Sequence, residues 1–65
     1  MITNYQQLEV TQEQLRRLEL ALAELRSSAS EREFRSQAPP VVDHIHRLRN
    51  EIDAYLGISE MESIP

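Results

Sequence analysis

The stretch TQEQLRRLELALAEL, residues 11–25, decides the fold. Leu15, Leu18, Leu22 and Leu25 recur at steps of three, four and three, which places them along one stripe of a helix. Leu8 precedes Leu15 by seven and Ala29 follows Leu25 by four, so the same a/d seam reaches beyond both ends. Thr11-Gln12-Glu13-Gln14 has the capping-box pattern, with a threonine oxygen for a free backbone N–H and Gln14 to reach back. Val10 and Leu15 are spaced to form a hydrophobic staple across that cap. Glu13 and Arg17 have the acid-first i,i+4 order, and Arg26 suits the negative end of the helix dipole. The pattern predicts a helix over residues 12–28, capped by Thr11 and Gln14.

Working outward, the next strong punctuation is Pro39-Pro40. A residue before proline is pushed out of helical geometry, while proline itself is accepted at a first helical position. A second helix is therefore expected over residues 40–56. Its apolar positions Val41, Ile45, Leu48, Ile52 and Tyr55 step by four, three, four and three, and Val42 and Leu56 widen the stripe. Asp43–Arg47, Arg47–Glu51 and Arg49–Asp53 are opposite charges at i,i+4 on its wet side. Gly57 falls where a left-handed C-terminal residue is wanted, and Ile58 where a Schellman cap places its apolar contact.

Between the two stripes, Ser27, Ser28 and Ser30 weaken the first helix, yet Ser30 followed by Glu33 has the means to cap another short turn. The first helix either ends near residue 28 or continues, kinked, toward residue 36. Phe34, alone in a polar stretch, is expected to fold back as a lid on the hairpin end. Residues 1–9 hold Ile2, Tyr5 and Leu8, enough for a short helical turn at the hairpin mouth. Residues 59–65 carry no period and read as a loose tail, leaving residues 1–58 as one domain.

The fold class expected is all-α: an antiparallel two-helix hairpin that pairs into a dimeric four-helix bundle. Dimerisation is expected because two helices leave one side of each seam open, and a small chain without staples usually finds a partner. Leu20 sharpens this expectation, since it lies off the seam of its own helix. The first helix would supply Leu15, Leu18, Leu20, Leu22 and Leu25 to the core and dimer interface. The second would supply Val41, Ile45, Leu48, Ile52, Tyr55 and Leu56.

Composition excludes several functions. The chain of 65 residues has no cysteine, so it has neither disulfides nor thiolate metal sites, and its one glycine rules out a phosphate loop. Seven basic residues, all arginine, stand against eleven acidic ones, for a net charge of −4. That balance is unpromising for direct nucleic-acid binding. No apolar run approaches a membrane span, and the first residues lack the pattern of a signal peptide. The default address is cytoplasmic. His44 and His46 are two apart, about 200° around a helix, and cannot easily share one ion. Asp43, His46, Asn50 and Asp53 fall along one polar face, which is usually only solvated. No serine has nucleophile-elbow glycines, and the carboxylates lie on wet faces where nothing raises a pKa. A non-enzymatic chain without metal or cofactor is expected.

Two stretches carry a family resemblance. ITNYQQLEVTQEQLRRLELALAEL (residues 2–25) resembles the opening segment of bacterial HigA-like antitoxins of the XRE helix-turn-helix superfamily. LRNEIDAYLGI (residues 48–58) is similar to the second helix of that segment. In those regulators the DNA-binding helix-turn-helix follows, and no recognition helix is found in these 65 residues. The resemblance therefore implies a helical interaction segment rather than DNA binding. Two functions follow as expectations: a self-associating protein-interaction module, or an antitoxin-like regulator that binds a protein partner.

Overall fold

The computed structural model describes residues 1–58 and contains two helices, α1 (Tyr5–Ser28) and α2 (Glu31–Leu56), which pack on each other as a hairpin. No strand occurs among the described residues. The tail read at residues 59–65 lies outside them.

Both helices start earlier than the sequence pattern predicts. α1 begins at Tyr5 rather than residue 12, and its cap is Asn4 rather than Thr11. The Asn4 Oδ1 accepts from the Gln7 N–H at 2.8 Å. The Gln7 Oε1 in turn accepts from the Thr3 N–H and hydroxyl, both at 2.7 Å. This reciprocal arrangement satisfies N-terminal donors about two turns before the Thr11 pattern would. Residues 5–11 contain no glycine or proline to stop the helix, and Leu8 already faces the seam. Thr11 is thus interior, and its hydroxyl donates to the Gln7 carbonyl at 2.9 Å. Gln14 caps nothing there.

α1 ends at Ser28, and the turn consists of Ala29 and Ser30 alone, both in extended conformation. The Ala29 N–H closes the last turn on the Leu25 carbonyl at 2.9 Å. Each serine in this region has a separate task. Ser27 and Ser28 donate their hydroxyls back to the carbonyls of Ala23 and Glu24. Ser30 opens α2 with a complete capping box: its hydroxyl accepts from the Glu33 N–H at 3.2 Å, and the Glu33 carboxylate accepts from the Ser30 N–H at 3.3 Å. Glu31 and Glu33 also place negative charge on the positive end of the dipole.

The predicted break at Pro39-Pro40 is absent: α2 runs from Glu31 through both prolines to Leu56. Neither proline has an N–H, so the carbonyls of Arg35 and Ser36 lose their helical donors. Both prolines are exposed, on the side of α2 opposite the buried Ile45, where water can serve those carbonyls. A proline on the wet side also favours curvature of the helix toward its dry side. Ala38, directly before the prolines and seven before Ile45, is nonetheless helical and buried.

One ion pair joins different levels of the two helices. Arg49 Nη2 of α2 meets Glu19 Oε2 of α1 at 2.5 Å. Glu19 lies about 14 Å along the axis from Ser28, whereas Arg49 lies about 27 Å from Glu31. The long Arg49 and Glu19 side chains span that difference in level. The Pro39-Pro40 step, already lacking two ladder bonds, is where bending costs least. The Cα radius of gyration is 14.3 Å, against about 11 Å for a compact chain of this length.

The core is correspondingly thin. Its buried apolar residues are Ile2 and Leu8 on one side and Ala38, Ile45, Leu48 and Ile52 on the other. Ile2, Leu8 and Ile52 form one cluster at the mouth of the hairpin, with Leu15 packed against it. At the far end Arg26 stacks over the Phe34 ring, 4.9 Å from its centroid, and Phe34 is half-buried. Gly57 ends α2 in the left-handed region at φ 79°, its N–H directed to the carbonyls of Ala54 and Asp53.

Candidate interaction surface

The seam of α1 is only half covered by α2. Leu15, Leu18, Leu22 and Leu25 are all intermediate in exposure, as are Val41 and Val42 across from them. No side chain among the described residues is fully buried. Ile45, Leu48 and Ile52 are the buried members of the expected interface set, whereas Leu20 remains 60% exposed, Leu56 51% and Tyr55 40%. Leu20 sits on the back of α1 because two residues are about 200° on a helix, and Leu18 faces the core. Val10, seven residues before Arg17, is also 55% exposed.

The two long edges of the hairpin differ. On one edge the Glu19–Arg49 pair crosses from helix to helix, and Arg26 covers Phe34 on the same side of α1. Arg49 was expected to pair with Asp53, but in the structure it reaches across to Glu19 instead. The opposite edge is open. There Gln14, Arg17 and Leu18 of α1 and His44 of α2 border one shallow recess. Leu25, Ala21, Val41 and Leu48 continue this edge by helical spacing. Nothing buried and polar interrupts it: no buried polar or charged residue occurs among the described residues.

The charges along α1 are local and exposed. Glu13 pairs with Arg16, and with Arg17 at 3.3 Å, while Arg35 pairs with Glu31 at 2.8 Å on α2. Exposed pairs of this kind contribute about 0–1 kcal/mol each. His44 and His46 are both exposed and lie on different sides of α2. No group of three or more His, Cys, Asp or Glu placed to hold a metal occurs among the described residues. No helix there is long and apolar enough to cross a membrane.

Of the structural residues, sequence spacing missed two, Ala38 and Asn4, while Ile2 packs at the hairpin mouth as expected. Ala38 keeps the heptad step to Ile45 and was detectable from it, but the neighbouring prolines masked the pattern. Asn4, three residues before Gln7, is itself a cap signature, masked by the fuller Thr11 pattern. Comparison with family models, curated proteins and solved structures finds no match for this chain.

Proposed function

We propose that this chain is a non-enzymatic self-association and protein-interaction module that forms a homodimeric four-helix bundle. The observation that carries this reading is the half-covered seam: leucines at heptad spacing in α1 stay partly exposed along its length. The accessible surface supports it. The whole chain exposes 5252 Å², against about 4,300 Å² for a compact monomer of this mass. Part of that excess is inherent in a rod-like hairpin, but its size is on the order of one partner's share of a standard interface, ~800 Å². Burying a half-exposed leucine seam stabilises by about 25 cal/mol per Å², so association and folding reinforce one another.

The module acts in the cytoplasm, without direct contact to nucleic acid, membrane or cofactor. Its net charge of −4 and exposed mixed charges support that reading. Sedimentation equilibrium of the whole chain tests it. A dimer at micromolar concentration is the expected result, and a folded monomer throughout that range overturns it. Recovery from native cells of a defined complex with a different protein, and no self-association, would instead favour the antitoxin-like alternative.

A further inference from the structure

We infer that the second copy docks on the open edge of the hairpin, antiparallel, with the two-fold axis passing Ala21 of α1 and Val41 of α2. This rests on the self-association reading above and adds the face and the register. The occupant is a second copy of this chain.

Three observations lead there. The edge carrying Glu19–Arg49 already has an ion pair spanning the helices, and docking a second hairpin on it would bury those charges at a desolvation cost. The opposite edge presents Leu18, Leu25 and Val41 partly exposed, with the recess between Leu18 and His44 at its middle. That recess also fixes the levels: His44 is level with Gln14–Leu18, so Val41, one turn nearer the hairpin end, is level with Leu18–Ala21.

Charge complementarity then sets the register. Arg17 and Glu24 lie about equally far on either side of the Leu20–Ala21 step, one basic and one acidic. Glu24 makes no ion pair among the described residues, and the Arg17 pair with Glu13 is long and exposed. An antiparallel two-fold at Ala21 brings Arg17 of one copy against Glu24 of the other, twice per dimer, since an isologous contact repeats itself. The same operation sets Leu18 beside Leu25 on the inner side of those pairs. Ala21 at the axis has the small side chain that a close crossing of two copies of one helix requires. A register slid by one turn sets Arg17 against Leu20 or Ser28 instead, and the ion pairs are lost.

The test uses the absence of cysteine in the native sequence. Ala21→Cys, oxidised under mild conditions, is expected to give a covalent dimer nearly quantitatively, whereas Gln12→Cys on the far side of α1 is expected to stay uncrosslinked. In parallel, Arg17→Glu and Glu24→Arg are each expected to weaken dimerisation on the order of tenfold. The double reversal is expected to restore it to within about threefold. All four positions are exposed, and helical circular dichroism confirms that each variant folds. A wild-type dimer that crosslinks through residue 12 and not 21, or whose double reversal fails to recover, overturns this face and register while leaving self-association intact. A wild-type monomer overturns both.

Discussion

Thr11 and Ser30 each stand three residues before a glutamine or glutamate, and only Ser30 caps a helix. The difference lies upstream: Ser30 follows an extended Ala29, whereas Thr11 follows six residues that are good enough helix formers to carry the helix through it. Ser30→Ala removes a complete capping box and is expected to cost about 0.5–2 kcal/mol in urea unfolding. Thr11→Ala exchanges an interior threonine for the best helix former, so it is expected to change stability by less than about 0.5 kcal/mol or to raise it slightly. A loss above 1 kcal/mol there would put the helix start back at residue 12. Gly57 is the third residue whose chemistry is decided locally. Its φ of 79° is left-handed and a Cβ there would touch nothing, so only the backbone is at stake. Gly57→Ala is expected to lower stability by about 1–2 kcal/mol in the same measurement.

At the scale of the element, α1 and α2 were both legible as helices from their apolar periods, and the structure settles the open choice for the end of α1 at Ser28. The starts were not legible. A capping pattern is a local preference worth about a kilocalorie, and Asn4 with Gln7 satisfies the same need earlier while bringing Leu8 into the core. Pro39-Pro40 costs more, about 3 kcal/mol per interior proline, yet α2 retains residues 31–38 because Ser30 caps them and Phe34 and Ala38 are packed. Replacing Pro39 with alanine restores the N–H for the Arg35 carbonyl. After subtracting the stiffness that proline gives the unfolded chain, the expected gain is about 1–3 kcal/mol, read as a higher urea midpoint. If stability falls instead, the curvature held by the prolines is itself required for α2 to follow α1.

For the whole molecule, the thinness of the core dominates. Ile45, Leu48 and Ile52 are buried by the hairpin alone, whereas Leu15, Leu18, Leu22 and Leu25 of α1 stay partly exposed. Aspartate at Leu48 or Ile52 places an unpaired charge among apolar neighbours, at a cost of several kcal/mol, and is expected to leave the chain largely unfolded by circular dichroism. A charge at exposed Gln12 is expected to do little. In the proposed dimer folding is coupled to association, so the melting temperature is expected to rise with protein concentration. A melt independent of dilution across a hundredfold range would mean that the cluster of Ile2, Leu8 and Ile52 suffices to hold one hairpin.

What the sequence by itself determined was that there are two amphipathic helices, which leucines and isoleucines face inward, and where α2 stops. Those properties follow from a 3.6-residue period and from a glycine that only a left-handed position explains. The tertiary structure alone decided that a proline pair lies inside a helix, that Arg49 leaves Asp53 for Glu19, and that one edge of the hairpin is closed while the other is open. Each of these depends on how far along one helix a residue of the other comes to rest. Spacing within a helix carries no information on that distance, because it is set by the two-residue turn and by how the two helices pack.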